Sequence, residues 1–243
     1  MLSLAEKLIS YIEKFDKTVD VLTNTKFIIY SFNVIHLLID NCMTTLYSIL
    51  PRISQILLKF ENIEHLEIRY HIGKCWLVII KNDDELFQKH LISIFDFFVG
   101  NTQVIHYNMN FAACEFFLNL FDHDKEEIPN KKVNELLFNK LKQILPKIFE
   151  FIKLSNNDLC SIESGENKLS KVQKDEKENP DDEDSLTEND GYNVNWTLRK
   201  CGSKFLDKLS FVYKDYIVDI MKNSLEEGIQ SKNWRTKYFI WFT

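Results

Sequence analysis

Asp175-Glu-Lys-Glu-Asn-Pro-Asp-Asp-Glu-Asp-Ser-Leu-Thr-Glu-Asn-Asp190 lies inside a polar run from Asn157 to Asn195, and Trp196-Thr-Leu-Arg-Lys-Cys201 follows at once. The run carries twelve Asp and Glu against four Lys, a local charge of −8, whereas the whole chain carries −6. The remainder is therefore close to +2. Nine of the acids fall between Asp175 and Asp190, around Pro180. One tyrosine, few aliphatic residues and no helical stripe leave too little apolar area to offset the entropy of ordering such a segment. The expectation is a long, disordered acidic loop. On both sides the pattern turns to amphipathic helix, so the loop interrupts a run of helices.

Working outward, the bulk composition agrees with helix. An apolar content of 45% and an aromatic content of 13% are ample for a core. Six glycines and four prolines are too few for a β-sandwich, which needs turn residues at short, regular intervals. Five cysteines (Cys42, Cys75, Cys114, Cys160, Cys201), an odd number with no CxxC and no secretory signal, point to a reducing cytosolic or nuclear compartment. Asn195-Trp-Thr197 fits the glycosylation triplet, but without a signal peptide it is discounted. The longest apolar stretch, Phe27 to Ile39, is broken by Ser31, Asn33 and His36 and is too short to span a bilayer. The mildly acidic balance implies no general affinity for nucleic acid.

The helical pattern starts at Leu2 to Phe15, with Leu4, Leu8, Ile9 and Ile12 on one face, and resumes at Phe27 to Ile39. Leu50-Pro51 opens a third helix, where proline suits the first turn because its missing N–H would have had no partner there. Ile63 to Ile80 follows, and Asp83 and Asp84 place acids at the start of Glu85 to Val99, which Gly100-Asn101 should stop. Val104 to Phe121 and Val133 to Leu154 come next, the latter with Pro146 as an expected kink. Beyond the acidic run lie Trp196 to Tyr213, Asp215 to Gly228, and an apolar closing stretch, Asn233 to Thr243. That last stretch stops without a cap, as if cut.

Cys75 and Cys114 lie 39 residues apart, each with an apolar residue three before (Ile72, Phe111) and four after (Ile79, Leu118). Cys201 has the same neighbours in Leu198 and Phe205, at a distance from Cys114 of 87, one unit plus the length of the acidic run. Paired helices at about 40 residues match HEAT-type repeats. A pair cannot bury its apolar face alone, so neighbours stack into a curved solenoid. The expected architecture is all-α: a HEAT-repeat α-solenoid of about five helical pairs, truncated. It divides into repeats at 1–156, the acidic loop at 157–195, and further repeats at 196–243.

At the loop's exit the match becomes specific. Asn195-Trp-Thr-Leu-Arg-Lys-Cys-Gly-Ser-Lys-Phe-Leu-Asp-Lys-Leu-Ser-Phe-Val-Tyr-Lys-Asp215 resembles the segment after the acidic loop of transportins, the karyopherin-β2 type of nuclear import receptor in the importin-β superfamily. Ala113-Cys-Glu-Phe-Phe-Leu-Asn-Leu120 is similar to the family's alanine-cysteine-glutamate-phenylalanine-tryptophan-leucine segment, and Ile144-Leu-Pro-Lys147 to its leucine-isoleucine-proline. Lys232-Asn-Trp-Arg235 looks like the start of a next repeat. The likeness is weak before Ile63 and strong after Asn195. The first repeats, which in the family hold the GTPase Ran, and most of the cargo-binding arch have no counterpart, so an internal fragment is expected. Lys168, Lys171, Lys174 and Lys177 also make this loop less purely acidic than the family's.

The resemblance implies a receptor that shuttles between cytoplasm and nucleus. It would bind cargo carrying a nuclear localisation signal and release it on binding Ran-GTP, with nucleoporins as further partners and no nucleic acid, membrane or cofactor. The loop would couple the two events, and Asp181, Asp182, Glu183, Asp184, Glu188 and Asp190 are its partner-binding candidates. A tethered polyanion occupies a basic-peptide groove at high effective concentration, and salt weakens such contacts. At the loop's exit, Trp196 is expected to pack on the preceding helix, and Arg199 to face solvent or tie down loop acids. A HEAT scaffold without GTPase regulation is the alternative, and an inactive remnant a third reading.

Nothing points to catalysis or to a bound metal. His65 and His71 share a helix with Glu64 and Glu67 without forming HExxH, and there is no Walker loop, GxGxxG or GxSxG. Acids in a floppy loop lack the positioning that general acid–base work needs. The three aligned cysteines are expected to be small core residues. Cysteines one repeat apart should stand about 10 Å from each other, too far for a zinc site.

Overall fold

A computed structural model describes residues 2–15, 20–121, 128, 130–152 and 197–230. Among the described residues the chain is all-helical, without a strand. The elements are α1 (Leu2–Glu13), α2 (Asp20–Leu46), a 3-10 turn (Tyr47–Ile49), α3 (Leu50–Lys59), α4 (Leu66–Asn82), α5 (Asp84–Thr102), α6 (Tyr107–Leu118), α7 (Lys131–Ile152), α8 (Leu198–Tyr213) and α9 (Asp215–Gln230). The expected loop at 157–195 and the closing stretch at 233–243 lie outside the described residues.

Local chemistry explains most boundaries. Pro51 sits in the first turn of α3 as expected. Asp83 caps α5, its carboxylate accepting from the Leu86 N–H at 2.9 Å. Thr197 does the same for α8 through the Lys200 N–H at 3.3 Å. The C-terminal end of α1 is tied down by Lys59, whose ammonium donates to the carbonyls of Glu13 and Phe15, each at 2.8 Å. A cation there satisfies carbonyls that have no helical partner. Arg52 adds a two-pronged ion pair to Glu13, at 2.7 and 2.6 Å, which holds the Glu13 carboxyl below its ordinary range.

Several expectations are corrected. In α1 the buried face is Ala5, Ile9 and Ile12, while Leu4 is exposed, because the packing stripe is centred one residue later than the leucines suggest. Helix α2 is far longer than Phe27 to Ile39, with non-helical dihedrals at Asn24 and Cys42. Gly100-Asn101 does not stop α5, which runs on to Thr102. A Cβ on Gly100 would stand 3.6 Å from Nη2 of Arg69, which donates to Asn101 Oδ1 at 2.6 Å. A separation of 3.6 Å is ordinary van der Waals contact, so the glycine neither ends the helix nor is required there by a close approach. Helix α6 starts at Tyr107, not Val104, with the His106 ring as its cap, accepting from the Met109 N–H at 3.4 Å. Pro146 lies within α7, which continues to Ile152. The proline is on the exposed side, where the carbonyl it leaves unpaired can accept a hydrogen bond from water.

The helices pack in two rows. Helices α2, α4, α6 and α8 contact one another in that order, and α5, α7 and α9 do so alongside them. Cross-contacts join α4 to α5, α5 to α6, α7 to α8 and α8 to α9, while α1 packs on α2 and α3. This pattern is compatible with an α-solenoid. The core between the rows is aromatic. Phe98 stacks on Phe116 at 4.3 Å, Phe95 meets Phe116 and Phe117 edge-on, and Phe117 stacks on Phe205 at 5.3 Å, so one cluster joins α5, α6 and α8. One stretch among the described residues, Asn24–Lys59, is long and apolar enough to cross a membrane by length and composition. Ile28, Phe32, Ile35 and Ile39 of α2 are buried within the protein.

Candidate peptide-docking face

The row α2–α4–α6–α8 presents ionisable and aromatic side chains that its core positions do not use. On α4, Ile68, Ile72, Cys75 and Ile79 are buried. The opposite stripe carries Glu67, Tyr70, His71, Lys74 and Lys81. On α6 the equivalent stripe is Tyr107, Phe111 and Glu115, one helical turn apart each time. Helix α2 adds His36 and Asp40.

Lys74 sits at the centre. Its ammonium lies 5.9 Å from the Tyr70 ring centroid, and the His71 ring is 5.3 Å from the same ring. Burial holds the imidazoles of His36 and His71 below their usual range, and the positive charge of Lys74 lowers both further. Asp40 acts on His36 in the opposite sense, and Glu67 on His71. The Nδ1 atoms of both rings are enclosed without a hydrogen-bond partner. Across the row, burial raises the Glu115 carboxyl above the ordinary carboxylate range, against the pull of Lys81 and Lys74. The phenol of Tyr70 is raised by burial and by the charge of Glu115.

Glu115 makes no ion pair with the described residues. It stands on the same stripe as Tyr107 and Phe111, whose rings are parallel at 6.3 Å. A half-buried carboxylate bordered by aromatic faces is suited to a guanidinium or ammonium group, which restores its lost hydration and packs on the rings. Among the described residues no three His, Cys, Asp or Glu converge as a metal site.

The sequence-derived candidates fall unevenly. Asp181, Asp182, Glu183, Asp184, Glu188, Asp190 and Trp196 lie outside the described residues. Arg199 is half-buried in the first turn of α8, with its Nε enclosed and unpartnered, beside Tyr107, whose hydroxyl accepts from the Leu198 N–H at 3.2 Å. The aligned cysteines Cys75, Cys114 and Cys201 are all fully buried, as expected of core residues. One detail is corrected. A spacing of about 10 Å describes helix axes, whereas Cys114 and Cys201 are near enough that Cys201 adds to burial in pushing the Cys114 thiol well up. His65 is the residue before α4 rather than a member of it, so it shares no helical face with His71.

Sequence reasoning missed Tyr70, Lys74, Glu115 and His36 as a group. The available signal was the turn-by-turn spacing of Tyr107, Phe111 and Glu115, opposite the apolar stripe of the same helix. Compared with models of protein families and with curated proteins, the chain matches none of them.

Proposed function

We propose that this chain is part of a HEAT-type α-solenoid resembling a transportin, a non-catalytic receptor that holds a basic cargo signal and releases it when Ran-GTP engages the acidic insertion. One observation carries the reading. Helices α6 and α8 are direct neighbours in the row although residues 153–196 come between α7 and α8. They are in register at both ends, through Leu198 and Tyr107 at one and the Phe117–Phe205 stack at the other. An insertion that leaves its flanking units stacked is tolerated because loop-closure entropy grows only slowly with length. The inserted sequence carries a local charge of −8. That polyanion and a basic peptide would compete for the same surroundings at high effective concentration. Glu115, one turn beyond Phe111 on α6 and near Tyr70 of α4, is the position on this face best suited to receive a Lys or Arg side chain.

The test is association of the longer receptor, of which this chain would be an internal part, with Ran loaded with a non-hydrolysable GTP analogue or with GDP, in the presence of a labelled basic peptide. The expected result is GTP-dependent binding that displaces the peptide, and deletion of residues 160–190 abolishes the displacement while leaving peptide binding intact. Binding of the peptide without any response to Ran-GTP supports the alternative, a HEAT scaffold without GTPase regulation.

A further inference from the structure

Cys114 and Cys201 are 87 positions apart in sequence, yet they face each other between α6 and α8. Contacts on both sides of them set the register. Tyr107 meets Leu198 at 3.2 Å before them, and Phe117 stacks on Phe205 at 5.3 Å after them. Between these ties lie Cys114, one turn before Phe117, and Cys201, one turn before Phe205, both fully buried, and after burial it is the neighbouring Cys201 that raises the Cys114 thiol. Cys75, on the neighbouring helix, is different: its thiol donates to the Phe32 carbonyl at 3.6 Å. So two of the three aligned cysteines lie in the seam between the helices that flank the insertion in the row.

We propose that Cys114 and Cys201 are a modification site that closes to a disulfide, with hydrogen peroxide as the two-electron oxidant, fastening α6 to α8 across the insertion. One sulfur attacks a peroxide oxygen, the O–O bond breaks, and a sulfenic acid and one water result. The second sulfur then displaces the hydroxyl from the first, forming the S–S bond and a second water. The two thiol protons end in the two waters, and the peroxide is reduced by two electrons. Neighbouring Cα atoms of α6 and α8 already approach within 8 Å. A disulfide needs its two Cα atoms about 4.4–6.8 Å apart, a separation within reach of helices in such contact. Burial keeps the thiols from reacting in the closed state, so the step proceeds through local opening of α8 and is slow. Once formed, the bond closes a loop containing the whole insertion and removes the freedom of α8 to part from α6.

The experiment treats the full chain under native conditions with hydrogen peroxide and maps its cysteines by mass spectrometry of a non-reducing digest. The expected product is a single cross-linked peptide pair joining Cys114 to Cys201, lighter by two hydrogens and reversed by dithiothreitol, while Cys75 stays reduced. Amide exchange in α8 should slow by at least about tenfold in the oxidised chain. Cys201→Ser should give no such cross-link, and the mapping of the unaltered chain decides the matter even if that variant folds poorly. Cys114 and Cys201 recovered unlinked after Cys42 has been oxidised would overturn the proposal, as would a link from either of them to Cys42 or Cys160.

Discussion

His36, His71 and His90 are three imidazoles that this fold keeps from water, on α2, α4 and α5 respectively. Burial is the main cause in each case, and Lys74 or Lys89 adds repulsion, so each pKa falls below its ordinary value of 6.5. The unfolded chain therefore binds protons more readily than the folded one. Stability from these groups is present above 6.5 and is lost as pH falls through that value toward the lower folded-state pKa. Glu115 works in the opposite sense, since its raised carboxyl takes up a proton more readily in the folded chain. Three imidazoles outweigh one carboxyl in the window just below neutrality. Thermal melts should show Tm falling from about pH 7.5 to about pH 5.5. The slope should flatten in a His36→Phe, His71→Phe double variant. An unchanged slope in that variant would show that other groups set the pH response. The histidines' surroundings were invisible in sequence, because the Lys74 side chain reaches His36 only once α2 is packed on α4.

At the scale of elements, caps and turn chemistry decide where helices begin, and approach distances decide how they pair. Lys214 joins α8 to α9 with φ of 41°, a positive value that a residue with a Cβ adopts at a cost. Sequence gives no hint of this, because no glycine marks the joint. Lys214→Gly should relieve the strain and raise unfolding free energy by about 1 kcal/mol, with Lys214→Val lowering it, as denaturant melts would show. Equal stability of the glycine and valine variants would mean that the joint is not strained. Gly202 illustrates the other control. A Cβ there would stand 3.1 Å from Ile152 Cγ1 and 3.7 Å from the Ile148 carbonyl oxygen, so this glycine lets α8 lie close on α7. The sequence shows the glycine in mid-helix, but only the packing shows what it makes room for.

For the whole molecule, the two rows of helices are joined by a phenylalanine cluster shared among α5, α6 and α8. Helices α6 and α8 are neighbours through contacts of their own. Deleting residues 160–190 should leave the helical circular dichroism intact and shift the unfolding free energy by less than about 1 kcal/mol, since shortening a long loop changes closure entropy only slightly. A large loss of stability on that deletion would mean that the insertion is an integral part of the core. Phe116→Ala, by contrast, empties the middle of the shared cluster.

The sequence by itself determined the all-helical class, most helix positions within a few residues, and the burial of the aligned cysteines. Each of these depends on periodicity, capping or charge within a few turns of chain. The acidic run, whose composition argues against its burying a core, lies outside the described residues. Tertiary structure decided the rest: the pairing of Cys114 with Cys201, the neighbouring of α6 and α8, the lengthened α5 past Gly100, and the gathering of His36, Tyr70, Lys74 and Glu115 on one face. Those facts join residues tens of positions apart, and which side of each helix faces which neighbour is set by packing between elements rather than by any local pattern.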